Sequence, residues 1–537
     1  MVKRYKKEKG ITLVALVITI IILLILAGIS ISALTQTGVF SRAKQAEQKS
    51  KEAQEQENAF LGDYENELNK YISGKTDEIQ ADGSWNSSKK VNSPELMEGM
   101  IGVYWDEKGN EVTVTADNQV NWYNYEKQQW ANAKTKDGSY WVWIPRYAYK
   151  IESGCYTNTA GEITVKFLQG TSNKDTNNAE IKTTYPTVSN GAMQDFVVHP
   201  SFVNGSSTHY MNGEWRDNIT GYWVAKYAAG FQASTTDASD ATKVVNGNDT
   251  IIYSSKKYTS NSGYAENAIS QRINRLPEMS YPVFKPLTYA YNCISTGDSY
   301  TLSREIAKVS SFYGLNSSQT DSHQMKNSEW GAVAYLAQSS CGRNKTEITI
   351  NSKNLKNLNS KNIYAVTGYS GETANGVDAS TTNNMSGVFD LRGCVWEYTA
   401  AYISNENENL TKYGSSFATV TTANESAYQT SSSEYVTIYP YDSSNDDASN
   451  NYTAYAEKRT TTYGFGDAIL ETSLVATGGA TTISWNKDYS VFTSIRMPFF
   501  ARGGNYGDTT SAGSFAFISW EGSAFYGRGF RSVLVAL

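Results

Sequence analysis

The N-terminus of this chain constrains it most. Residues 1–10 read MVKRYKKEKG, with Lys3, Arg4, Lys6, Lys7 and Lys9 against one acid, Glu8. Residues 11–33, ITLVALVITIIILLILAGISISA, carry no charge and no proline, and the next charged residue is Arg42. A helix needs about 20 apolar residues to cross a hydrocarbon core about 30 Å thick, and it satisfies every backbone group within itself. The expectation is a transmembrane helix over 11–34, with the basic leader in the cytoplasm and the rest facing outward. That places the protein in the cell membrane, single-pass, with an extracellular head and membrane lipid as one partner.

Residues 41–72 are rich in Ala, Glu, Gln and Lys, all good helix formers. Phe60, Leu61, Tyr64, Leu68, Tyr71 and Ile72 recur at three- and four-residue steps. Ser73-Gly74 stops the pattern. The expected stalk, 35–74, continues the membrane helix to a total length of about 90 Å.

The junction Lys9-Gly10, then Ile11-Thr12-Leu13, Leu16 and the run 18–27 resemble the N-terminus of type IV pilins and pilin-like proteins. In that family a prepilin peptidase cuts after a glycine and the new first residue is methylated. The resemblance makes Gly10 and Ile11 the processing residues and implies a peptidase and other pilin subunits as partners. The family usually carries Glu at the fifth mature position, where this chain has Ala15. An uncleaved signal anchor is the plainer alternative. A removable secretory signal fits less well, because the apolar run exceeds the usual h-region of about 7–15 residues.

The chain has 537 residues and a net charge of −6, and its one basic cluster is the leader. Nothing here points to nucleic acid. With 38 Tyr and 12 Trp among many Ser, Thr, Asn and Gly, the composition suits a loop-rich β protein with a recognising surface. Cys155, Cys293, Cys341 and Cys394 form no CxxC pair, which excludes a zinc ribbon or redox motif. Two disulfides or buried thiols both remain open. The three histidines, His199, His209 and His323, have no ligand spacing.

Residues 75–138 read as a linker with a small β element, holding strand candidates at 100–105 and 112–115. The head is expected over 139–537, opening on SYWVWIPRYAYKI. Polar inserts at 232–262, 348–382 and 404–461 are expected as surface loops or small sheets. The acidic run 442–447 lacks EF-hand spacing, so a solvated loop and a calcium site are both readings of it.

Four islands recur in order. They are Trp143-Ile144-Pro145; Gly221-Tyr222-Trp223-Val224-Ala225-Lys226-Tyr227; LSREIA (302–307) with NSEWGAVAYLA (327–337); and Gly393-Cys394-Val395-Trp396-Glu397-Tyr398-Thr399. Arg502-Gly503-Gly504-Asn505-Tyr506 and Gly529-Phe530-Arg531 complete the last. This order resembles the formylglycine-generating-enzyme-like branch of the C-type lectin fold, with WE(Y/W), RGG and GFR in sequence. The fold class expected is α+β: a long transmembrane helix, then a lectin-like domain with long insertions. Trp396 and Tyr398 alternate with Val395 and Glu397 as in a half-buried strand. Trp330, Val333, Ala334 and Ala337 share one helix face and read as core. Arg502 and Arg531 are expected to pair with buried acids such as Glu397.

Oxidase members of that branch use two cysteines shortly after RGG, and sulfoxide-synthase relatives use three histidines. This chain has no cysteine after Cys394 and no histidine after His323. The expectation is a scaffold without the reaction: no catalytic residue and no cofactor or metal.

Residues 508–528, DTTSAGSFAFISWEGSAFYGR, lie between RGG and GFR. Trp, Tyr and Arg dominate binding hot spots. The candidate ligand-binding residues are Asp508, Ser514, Ala516, Ile518, Ser519, Trp520, Glu521, Phe525, Tyr526 and Arg528, within a binding segment 502–531. The segment also resembles variable proteins of diversity-generating retroelements. There the stretch before GFR is rewritten at adenine-bearing codons, while Arg502–Asn505, Ala512-Gly513, Phe515, Phe517 and Gly529-Phe530-Arg531 would stay fixed. An ordinary lectin-type loop is the alternative. The function expected is a membrane-anchored or pilus-associated surface protein whose head binds an extracellular protein or glycan. A minor pilin with a structural role in filament assembly is the second reading.

Overall fold

The computed structural model describes residues 20–24 and, with interruptions, 79–537. The interruptions are 186, 205–214, 216, 232–240, 247–248, 255–280, 293, 357–362, 372, 404, 406, 415–416, 419–433, 440–447, 459–464, 475–481 and 526. Gly10 and Ile11, the stalk, His209, Cys293, the run 442–447 and Tyr526 therefore lie outside the described residues. The chain divides into two units, Met1–Thr76 and Asp77–Leu537.

In the first unit, residues 20–24 are helical. No helix among the described residues is long and apolar enough to cross a membrane. This overturns the expected α+β arrangement headed by a long transmembrane helix, and with it the expected single-pass localisation in the cell membrane. The described architecture is mixed α/β and mostly sheet.

The second unit is built on a seven-stranded antiparallel sheet. Its order is Thr320–Gln324, Ser532–Ala536, Gly221–Ala225, Tyr140–Pro145, Asn132–Lys134, Ile101–Trp105 and Glu111–Thr113. The last strand of the chain is therefore interior, paired with Gly221–Ala225 on one side and Thr320–Gln324 on the other. Three strands come from the stretch read as a linker with a small β element, two of them close to the expected candidates at 100–105 and 112–115. They extend the head sheet, so the unit starts at Asp77 and not near residue 139.

The aromatic richness read as surface chemistry goes largely into the core. Trp122, Trp130, Trp141, Trp143, Trp223, Trp330 and Trp485 are all under 2 % exposed. Trp143 and Trp223 sit opposite each other on paired strands with ring centroids 5.3 Å apart. Large flat rings fill the interior between sheet and helices with much buried area and few rotatable bonds.

A second, five-stranded sheet is centred on Trp396–Ile403, a strand buried along its whole length rather than on one face. It pairs with Thr437–Tyr439, Phe499–Arg502 and Arg528–Phe530, and Phe499–Arg502 pairs in turn with Phe517–Trp520. The insert 404–461 supplies the Thr437–Tyr439 strand and the helix Ala448–Lys458, whose Tyr452 and Tyr455 are core residues. It is not merely a surface loop. The inserts 232–262 and 348–382 each carry two-stranded pieces.

Two helices pack against these sheets. Ser295 caps Thr296–Glu305 through its hydroxyl, which accepts the Asp298 N–H at 3.1 Å. Glu329 accepts the Lys326 N–H at 2.9 Å and so closes the start of Asn327–Gln338. All twelve residues of Asn327–Gln338 are buried, so this helix has no solvent face. Gly331 permits that: a Cβ there would lie 2.0 Å from the Gly466 carbonyl oxygen.

Arg531 joins the two sheets. Its Nε and Nη2 donate to Glu397 Oε2 and Oε1 at 2.9 and 2.7 Å. Nη1 donates to the Ala225 carbonyl at 2.6 Å and Nη2 also to Phe389 at 2.8 Å. Both side chains are essentially unexposed. Arg502 differs from expectation. Among the described residues it pairs with no acid but donates to the carbonyls of Ala516, Asp467 and Ala468 at 2.9, 2.9 and 3.0 Å.

A turn at 466–471 forms a second buried node. Glu471 accepts from Tyr149 (2.8 Å), Tyr335 (2.7 Å) and the Gly466 N–H (2.7 Å). Asp467 accepts from Tyr439 and Tyr455, each at 2.8 Å. Burial pushes the Glu471 carboxyl up to about 7, against the pull of its hydrogen bonds.

Three outcomes follow. A fragment 77–537 should melt cooperatively by circular dichroism, whereas 139–537, stripped of three sheet strands, should not. Arg531→Ala leaves Glu397 buried without its partner and should destabilise the fold by about 3–5 kcal/mol in denaturant melts. The folded chain holds the Glu471 proton more tightly than the unfolded chain, so stability should fall as pH rises from about 4.5 to about 7. Glu471→Gln should show a smaller fall in melting temperature across that window.

Candidate ligand-binding site

The segment between RGG and GFR is held mainly by its own main chain. Arg392 Nε donates to the Ala512 carbonyl at 2.8 Å. Trp330 Nε1 donates to the Ser514 carbonyl at 2.7 Å, and Arg502 to that of Ala516. The Tyr398 hydroxyl donates to the Ser523 carbonyl at 2.8 Å. The Phe515 N–H donates to Asp488 at 3.1 Å, and the Thr296 N–H to the Gly522 carbonyl at 3.0 Å. Gly513 fits because no side chain could: a Cβ there would fall 1.9 Å from Asp488 Oδ2.

Phe517–Trp520 alternates, as a strand must. Phe517 and Ser519 are buried, while Ile518 and Trp520 are half-buried. Ile518 and Trp520 pack on Trp396, Tyr398, Ala501 and Ala516, with Tyr489 at the border. The Trp520 and Phe525 rings lie 5.4 Å apart. Arg528 places its guanidinium 4.4 Å from the Trp520 ring, 5.6 Å from Trp396 and 5.7 Å from Phe525. Such cation–π contacts strengthen as the cation is desolvated, and Arg528 is 4 % exposed.

The sequence candidates thus separate. Ile518, Trp520 and Phe525 come together as one aromatic-apolar face, with Arg528 beneath them rather than displayed. Ala516 and Ser519 are buried, Ala516 under that face and Ser519 turned off it by strand alternation. They are corrected to supporting positions. Glu521 is half-buried and accepts from the Ser523 hydroxyl at 2.6 Å. Asp508 and Ser514 are half-buried as well, and Asp508 accepts the Asn505 N–H at 2.8 Å.

Trp396, Tyr489, Arg392 and Asp488 belong to the site and were not named for it from sequence. Asp488 and Arg392 reach the segment across 27 and 120 positions of chain, a separation that leaves no local pattern.

No group of three or more His, Cys, Asp or Glu able to hold a metal occurs among the described residues. Cys155, Cys341 and Cys394 are buried thiols, and burial pushes the Cys341 thiol up to about 11, which makes it a poor nucleophile. His199 is fully buried beside Ser201, and burial pulls its ring down to about 3. No family model and no curated protein matches the chain.

Proposed function

We propose that this chain is a binding protein, not an enzyme, and that it recognises a protein or glycan ligand through the face made by Ile518, Trp520, Glu521 and Phe525. The observation that carries this reading is the main-chain grip on residues 512–523. Carbonyls at Ala512, Ser514, Ala516, Gly522 and Ser523 take the bonds that hold the segment. The fold therefore depends less on the half-buried side chains at 514, 518, 520, 521 and 525 than on the backbone that carries them. A surface built this way can change its chemistry without losing its shape. The same property supports the likeness to lectin-fold variable proteins, whose display segments lie between RGG and GFR.

Aromatic side chains of this kind, in a rigid setting, give large contact area at low entropy cost. The reading rests on recognition alone.

The test compares Trp520→Ala and Phe525→Ala with Trp330→Ala, using immobilised glycan and peptide panels to find and rank ligands. The two outward substitutions should each weaken binding by at least about tenfold, since a hot-spot aromatic contributes about 2 kcal/mol or more. Trp330→Ala, which opens a core cavity, should cost about 3–5 kcal/mol of stability. Equal losses of melting temperature in all three, with binding unchanged by Trp520→Ala, would defeat the reading.

A further inference from the structure

We propose that His323 is a pH-sensitive latch: held as an imidazolium between Asp321 and Glu329, it fastens the strand Thr320–Gln324 to the start of the helix Asn327–Gln338, and loss of its proton loosens that joint. The inference stands apart from the binding reading.

The geometry carries it. His323 Nδ1 lies 3.3 Å from Asp321 Oδ1 and Nε2 lies 2.9 Å from Glu329 Oε1. An ionised carboxylate only accepts, and a neutral imidazole has a single N–H. Both contacts are hydrogen bonds only when both ring nitrogens carry protons. The ring is unexposed, so bulk solvent does not bathe it.

Among the described residues, these groups face the ring. The strand itself gives Asp321. The helix start gives Glu329 and Lys326, whose Nζ lies 3.5 Å from Glu329. The helix Thr296–Glu305 gives Arg304, which donates to both Asp321 oxygens at 2.8 Å. Tyr222, on the strand Gly221–Ala225, interacts with the Glu329 charge. The rings of Trp215 and Tyr435 wall the site at 5.2 and 5.8 Å from the imidazole. Lys326 Nζ also donates to the carbonyl of Glu434 at 2.8 Å, next to Tyr435.

Burial pushes the ring towards neutrality and Lys326 adds to that push. The charge of Glu329 and the hydrogen bonds to Asp321 and Glu329 outweigh both, so His323 keeps its proton above the ordinary 6.5. A group whose folded pKa is raised contributes its full stabilisation below the unfolded value. That stabilisation is lost as pH rises through the folded value. Without its proton the ring loses its ionic attraction to Glu329 and one of its two hydrogen bonds, so the contact that joins strand to helix falls from a charge-assisted bond to a neutral one.

The joint lies under the second sheet. Gln324 donates to the Tyr398 carbonyl at 2.7 Å, and Trp330, next to Glu329, grips Ser514.

The chain has three histidines, so histidine labelled with carbon-13 at Cε1 gives three ring signals, identified by replacing His199 and His209 singly. In the full-length protein the His323 signal should be that of an imidazolium at pH 7 and should titrate above 6.5. Melting temperature should fall by a few degrees between pH 6.5 and 9, and His323→Gln should flatten that fall. A neutral His323 ring at pH 7 overturns the latch. So do parallel melting curves for wild type and His323→Gln. If His323→Gln does not fold, the labelled ring alone decides.

Discussion

The structure depends first on one buried cation. Arg531 stands where the main sheet, the second sheet and the loop at Phe389 meet, and it bonds to all three. Its position is forced by connectivity. Phe530 ends a strand of the second sheet and Ser532 begins an interior strand of the first, so residue 531 is the single hinge between them. A buried ion pair is often no more stabilising than a well-packed apolar substitute, because both charges must leave water. This pair does something a leucine could not. It satisfies two backbone carbonyls and one carboxylate from three separate segments with one rigid, planar side chain. The assembly is specific because no other register presents those acceptors together.

The same logic recurs at 466–471. Its two carboxylates take four tyrosine hydroxyls from four elements, and Arg502 binds the carbonyls between them. A chain with 38 tyrosines can bury rings extensively because such hubs receive the hydroxyls. An unbonded buried hydroxyl would cost about 1–3 kcal/mol. Tyrosine is here a core residue with a polar handle, which is why the composition misled: the same residue type suits both an interior and a recognition surface.

Legibility followed range. WEYT read correctly as a strand, though as one buried on a single face rather than along its whole length, and the strand after GFR was expected and is present. LSREIA and NSEWGAVAYLA read correctly as helices, since each rests on local spacing. Trp330 read correctly as core, and the pairing of Arg531 with Glu397 was within reach because each is a charged residue in an otherwise apolar island. The strands near 100–105 and 112–115 were readable from their own residues, but their union with the head sheet was not, because it runs through Asn132–Lys134, which pairs with Tyr140–Pro145. Asp467, Glu471 and Asp488 could not be singled out, because a buried acid and a surface acid have the same letter. Strand alternation was readable in FISW, yet which parity faced outward was not. Ser519 was therefore placed with Ile518 and Trp520 although it points the other way.

Holding a segment by its carbonyls separates two demands that usually conflict. A loop fixed by its side chains loses shape when those side chains change, so its recognition chemistry is bound to its stability. Between Ala512 and Ser523 the bonds run instead from distant, buried donors to backbone oxygens present in any residue. The donors, Trp330, Arg392, Tyr398 and Arg502, sit in the rigid interior or at its edge, and their own positions are set by sheet and helix packing. The outward side chains keep one half packed on Trp396 and its neighbours and leave the other half for solvent or a partner. Arg528 marks the boundary of that freedom. It lies beneath Trp520 and Phe525 and binds their rings from the inside, so it belongs to the frame although its sequence position falls within the display segment. Substitution at Arg528 should therefore resemble substitution at Trp330 more than at Trp520.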